Sequence, residues 1–271
     1  MNHLTVTLLS LCLLAASALR AENLSRAESE ELFEDGKGLF RQATALAKDD
    51  PDGARKLMQK ALFRFQRLVE DGGIHNGRLY YDIGNIYFHL DDLGRAIVNY
   101  RRAREYTPDD PKLQQNLAYA RSQRTDAFAE PEQRKILKTI FFWHYDFTQH
   151  TRSLVFAVAF ALVWVLLACR LFLRSAWLTR VAAVAALMAA GMLVSLVLTY
   201  HAQNHSRPGV VVAREVIARL SDSDSADPAF TDPLHAGTEF EVAEDRGSWY
   251  DVRLSDGQTC WLPASSVELV H

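Results

Sequence analysis

Seven side chains in the first half of the chain have the types and spacing of a surface that grips another polypeptide. Arg78, Tyr81, Asn85 and Phe88 recur at intervals of three and four, with His89 adjoining, so in a helix they share one face. Lys112 and Asn116 stand four apart further on. Amide, imidazole, cationic and ring groups in such a row make hydrogen bonds and stacking contacts. A second set, Trp249, Tyr250 and Trp261, suits the edges of a shallow aromatic groove. The chain has no nucleophile elbow, no phosphate-binding loop, no HExxH pair and no paired-carboxylate site on a defined scaffold. These residues point to a binding protein rather than an enzyme, with no cofactor.

Lesser candidates for chemistry have plainer readings. His201 and His205 are four apart, but their neighbourhood offers too few further ligands for a metal. Asp222, Ser223 and Asp224 open an acidic loop that lacks the glycine turn and closing glutamate of a calcium site. Cys260 lies in an apolar, aromatic run and reads as a packing residue. With Cys12 and Cys169 in hydrophobic segments, the three cysteines do not make a disulfide framework. The balance of 30 basic and 33 acidic side chains, with no basic stripe, argues against a nucleic-acid partner.

The groove residues need helices to carry them. Tyr80, Ile83, Gly84 and Tyr87, followed by Ala96, Tyr100, Ala103 and Pro108, stand at the spacings of a helix–turn–helix repeat. Gly84 lets the partner helix approach, and Ala96 and Ala103 are small where the second helix packs. This pattern resembles a tetratricopeptide repeat. A single repeat cannot bury its own faces, so neighbours are required. Residues 32–47 and 54–70 form a looser pair, with Ala61, Phe65 and Leu68 at second-helix spacing and Gly36 or Gly38 as the close-packing glycine. The link 48–52 contains Pro51. Residues 111–124, with Leu113, Leu117 and Ala120 on one face, close the array, and the domain spans 28–126. Peptide or partner binding is the main expectation for the concave face. The groove also looks partly like the repeats that grip C-terminal carboxylates, although Tyr81 stands where those have a lysine.

The remaining elements place this domain at a membrane. Residues 154–173 and 181–200 are apolar on every face and long enough to cross a hydrocarbon core of about 30 Å. They read as a transmembrane hairpin, Gly191 and Ser195 allowing close packing against bulkier Phe156, Phe160 and Trp164. Neither span holds a central charge, which argues against an ion pathway. Residues 1–21 have the form of a signal peptide; an uncleaved anchor is the alternative. Both put the flanks of the hairpin outside the cytoplasmic membrane, and Arg170, Arg174 and Arg180 around the link fit a cytoplasmic turn. Residues 132–150, with Ile136, Leu137, Ile140, Phe141, Trp143, His144 and Phe147, read as an interfacial helix from which Lys135 and Lys138 reach headgroups.

After residue 207 the period changes to two. The runs 210–220, 239–242, 249–254, 259–262 and 267–270 read as strands, with a tight turn at Asp256 and Gly257 and another at 245–248. The segment from Gly237 through Trp249 and Trp261 to Pro263 resembles bacterial SH3-like domains, and 207–271 is the expected span of the barrel. The fold class expected is multidomain: an all-α tetratricopeptide-repeat domain, a two-helix transmembrane hairpin and a small all-β SH3-like barrel.

This order of parts, with Phe141, Phe142, Trp143, His144 and Tyr145 ahead of the hairpin, resembles the BatE type of the Bacteroides aerotolerance family. The resemblance implies an inner-membrane, periplasm-facing scaffold in an envelope stress-tolerance complex. The partners it implies are membrane proteins with von Willebrand factor A domains and, indirectly, a MoxR-type AAA+ ATPase. A second reading makes the protein a wall tether whose SH3-like domain binds peptidoglycan.

Overall fold

The computed structural model describes residues 24–126, 128, 136–137, 139–145, 147–173 and 175–270. The expected signal segment, Lys135, Lys138 and Arg174 lie outside the described residues. The chain divides into two compact units, Met1–Gln123 and Arg124–His271.

The first unit is helical: α1 (Arg26–Leu46), α2 (Pro51–Glu70), α3 (Gly77–His89), α4 (Leu93–Tyr106) and α5 (Pro111–Ser122). Each start carries a side-chain cap. Ser25 and Glu28 form a capping box, and Asp50, Asn76, Asp92 and Asp110 accept from the first free N–H groups of their helices. Pro51, expected in the link, instead opens α2, where its missing N–H has no bond to lose. Consecutive helices pack as α1 on α2 and α3 on α4. Both pairs close over a glycine. A Cβ at Gly84 would stand 2.7 Å from the Tyr100 ring, and one at Gly36 would stand 2.6 Å from the ring of Phe65. Gly38 has nothing within 4 Å, so Gly36 is the close-packing glycine that the sequence left undecided. The core is Ala61, Phe65, Leu68, Ile83, Ala96, Tyr100 and Ala103 with their neighbours, all buried.

In the second unit, α6 (Phe142–Tyr145) precedes two helices long and apolar enough to cross a membrane, α7 (Gln149–Leu173) and α8 (Ala176–His205). These pack along one another. The seam on α8 is Leu178, Ala182, Ala185, Ala189, Met192 and Ser195, spaced three and four apart and buried. Gly191 lies off that seam, and an added Cβ there would meet nothing within 4 Å. The stripe of alanines, ending at Ser195, brings the helices together, not the Gly191–Ser195 pair expected. Phe172 and Leu187 are among many large apolar side chains on the outward faces that stay exposed.

The chain then forms β1 (Pro208–Val211), β2 (Glu215–Val216), β3 (Leu234–His235), β4 (Glu239–Asp245), β5 (Trp249–Leu254), β6 (Thr259–Pro263) and β7 (Val267–Leu269). Five strands make an antiparallel sheet in the order β6-β5-β4-β1-β7, and β2 and β3 pair separately. The run 210–220, expected as one strand, breaks after Val211. At the Asp256–Gly257 turn only Gly257 has positive φ, at 95°. The Leu254 N–H donates to the Gln258 carbonyl at 2.8 Å, closing a three-residue loop rather than the two-residue turn expected.

The β domain does not begin at residue 207. Phe128 packs against its core, beside Val211, Phe240, Val252 and Leu262. The Asp126 carboxylate accepts from the His235 N–H at 2.6 Å and from Thr238 Oγ1 at 2.6 Å, and meets His235 Nδ1 at 2.8 Å. Arg124 pairs with Glu239 at 3.2 Å. Burial works against ionised Asp126, but these hydrogen bonds outweigh it and hold the carboxyl below its usual range. The helix pair is therefore an insertion in one domain, which the chain leaves after Phe128 and rejoins at Pro208.

Three substitutions test this packing. Gly36→Ala should destabilise the helical unit by about 1–3 kcal/mol through overpacking. Gly38→Ala should be neutral or stabilising by up to about 1 kcal/mol; denaturant midpoints measure both. Asp126→Ala should destabilise the β domain by about 1–3 kcal/mol at neutral pH. Because the folded-state pKa of Asp126 is depressed, its contribution is complete above the unfolded value of about 3.9 and lost as pH falls through the folded value. Wild type and variant should therefore converge in acid, which pH-dependent unfolding measures.

Candidate partner-binding groove

The groove is built on α3, whose exposed and half-buried face is opposite the Leu79, Ile83 and Ile86 face that it buries. Asn85, Phe88 and His89 from α3 meet Asn116 and Tyr119 from α5 and Tyr100 from α4 around a cleft of about 170 Å³. A hydrogen-bond network sets the orientation of its two amides. Tyr100 Oη donates to Asn85 Oδ1 at 2.8 Å, and Asn116 Nδ2 donates to the same oxygen at 3.0 Å. Asn116 Nδ2 also donates to the Tyr81 hydroxyl at 3.0 Å. Asn85 thus spends its acceptor and keeps its Nδ2 hydrogens, while Asn116 spends both hydrogens and keeps its oxygen. Beside this amide pair, Phe88 and Tyr119 place their rings 5.6 Å apart, and 57% of Tyr119 is exposed.

Four of the seven residues expected here, Asn85, Phe88, His89 and Asn116, line the cleft, and Tyr81 buttresses it through Asn116. Arg78 and Lys112 do not line it. Arg78 lies over the Phe33 ring at 5.5 Å, and Lys112 is exposed in the first turn of α5. Sequence reasoning missed Tyr119, Asp82 and the polar role of Tyr100. Tyr100 fills the core beneath Gly84, as its spacing indicated, but its hydroxyl end reaches the groove floor. Burial pushes that hydroxyl's pKa up, keeping it a donor. Asp82 sits on the same helix face, and burial, opposed by Arg78 and Lys37, pushes its carboxyl up to about 6. Among the described residues it accepts no hydrogen bond.

No protein-family model and no curated protein matches this chain. Function must be read from the sites themselves.

The second candidate set does not assemble into one groove. Trp249 pairs with Pro263, Tyr250 with Leu262 and Asp251 with Trp261. Alternation puts Trp249, Asp251 and Trp261 on one face, and Tyr250 on the other with the core it packs against. The Arg246 guanidinium covers Trp261, 4.5 Å from the ring centre, and is held there by Glu244 at 2.7 Å and Asp222 at 2.9 Å. Asp222 is thereby committed to an arginine rather than to a cation. Cys260 is buried, and burial with the nearby Asp251 and Asp256 charges pushes its thiol up to about 12, which suits packing rather than reactivity.

Tyr100→Phe keeps the ring against Gly84 and deletes one donor to Asn85. It should cost about 0.5–1.5 kcal/mol in unfolding free energy, measured by denaturant titration.

Proposed function

We propose that the protein is a membrane-anchored adaptor that holds an extended peptide segment of a partner protein in the α3–α5 groove. The observation that carries this is the unspent amide edge. Asn85 keeps its Nδ2 donor and Asn116 its Oδ1 acceptor, both residues line the cleft, and a peptide unit offers the matching carbonyl and N–H. The Phe88 and Tyr119 rings offer an adjacent apolar seat for a side chain. In this reading α1 to α5 are a short tetratricopeptide array, with Gly36 and Gly84 at the tight crossings, and the β domain is SH3-like. The hairpin spans an inner membrane with its turn in the cytoplasm. The order of parts supports the BatE-type assignment, and with it partners bearing von Willebrand factor A domains. The wall-tether alternative has less support, since Arg246 covers Trp261 and Tyr250 faces the core.

Exposed aromatic residues in a groove are the usual hot spots, costing about 2 kcal/mol or more on truncation. The double change Phe88→Ala and Tyr119→Ala, made in the full chain, should abolish co-purification of membrane partners while Trp249→Ala leaves it intact. Capture that survives the groove variant and is lost with Trp249→Ala would transfer the function to the β domain.

A further inference from the structure

Arg152 sits in the first turn of α7, yet only 6% of it is exposed. Its Nη1 donates to Ser195 Oγ at 2.8 Å and to Thr199 Oγ1 at 2.8 Å, both on α8. Each hydroxyl passes its own hydrogen on. Thr199 Oγ1 donates to the Ser195 carbonyl at 3.0 Å. Ser195 Oγ stands 2.7 Å from His144 Nδ1, on α6. Ser195 Oγ carries one hydrogen and a second lone pair besides the one Arg152 uses, so this contact by itself fits either its hydrogen pointing at Nδ1 or an Nδ1–H pointing at it. The Arg152 Nη1, 3.3 Å from His144 Nδ1, selects the first: a guanidinium only donates, so the ring nitrogen that faces it presents a lone pair.

We propose that His144 is a proton-operated pin: neutral, it fastens the aromatic helix α6 to the end of the hairpin away from its turn, and protonated, it releases it. A proton on Nδ1 would turn the acceptor into a donor and set two cations 3.3 Å apart, one of them the buried Arg152 and the other a half-buried ring. Arg152 is the charged group that faces the ring from α7. From α8 come the uncharged hydroxyls of Ser195 and Thr199. His150 and His201 are exposed, and Asp146 lies outside the described residues. Burial, and behind it the Arg152 charge, hold the imidazole below its ordinary pKa. Attachment is thus complete above about pH 6.5, where a free histidine is neutral, and weakens as pH falls from there through the lowered value. What is released carries Phe142 and Trp143, with exposed Phe141 just ahead, so acid would free an aromatic stretch from the hairpin.

The test uses the full chain in lipid nanodiscs, labelled with 5-fluorotryptophan, with the Trp143 resonance assigned by Trp143→Phe. That resonance should move between two positions as pH falls from about 8 to about 4.5, with a midpoint below about 6.5. His144→Gln, which keeps an acceptor but cannot titrate, should hold the alkaline position throughout. Arg152→Gln, which removes the facing charge, should raise the midpoint. A Trp143 resonance that does not move in the wild type, or that titrates unchanged in His144→Gln, would overturn the proposal.

Discussion

The docking of Arg124, Asp126 and Phe128 on the β domain is the constraint on which the rest of the second unit depends. Asp126 and His235 are 109 residues apart in sequence, and one carboxylate with three donors joins them. A carboxylate removed from water needs its oxygens satisfied, and here backbone, imidazole and hydroxyl groups supply that. Phe128 adds apolar contact with the sheet's core. The consequence is topological: a hairpin that starts and ends at one folded domain has both ends on one side of whatever it crosses.

Packing in the helical unit follows a different rule. Each crossing is made close by an absent side chain, Gly36 under Phe65 and Gly84 under Tyr100. Close approach at Gly84 also carries the Tyr100 hydroxyl through to the groove floor, where it helps to orient Asn85. Core and groove are therefore one construction. The same tyrosine fills the interior with its ring and sets the direction of a surface amide with its hydroxyl. Burial makes that direction reliable, since a buried phenol remains protonated and must donate or accept within reach.

The hairpin shows how an apolar pair tolerates polar groups. Along most of α8 the seam is alanine, which lets the backbones approach and leaves large side chains outward. At one end of the pair a polar cluster forms from Arg152, Ser195 and Thr199 with His144. There a guanidinium is held by hydroxyls that each relay a hydrogen onward, so one change of protonation is felt by the whole cluster.

Much of the architecture was legible in the sequence because it rests on local patterns. Helical spacing in 77–108, two apolar stretches of membrane-crossing length and alternation after residue 207 each follow from the geometry of a single element. So did Gly84, whose place in the repeat spacing marks a close approach, and Asn85, Phe88 and His89, which share the face of α3 left over by the core, while Asn116 joins them from α5. What the sequence could not decide depended on contacts between distant stretches. It could not choose between Gly36 and Gly38, because that choice lies in where the Phe65 ring falls. It grouped Tyr250 with Trp249 and Trp261, since only the β5–β6 register and the core packing put Tyr250 on the inner face. It began the β domain at 207 and counted Asp126 with the repeats, because Asp126 and Phe128 dock on a sheet that lies beyond the apolar helix pair in sequence. It gave no sign that Arg152 is buried, since that burial comes from side chains on another helix. Periodicity is a property of one helix or strand and is written in consecutive residues; burial, hydrogen-bond direction and the sharing of a carboxylate belong to pairs of elements, and only the folded chain brings those pairs together.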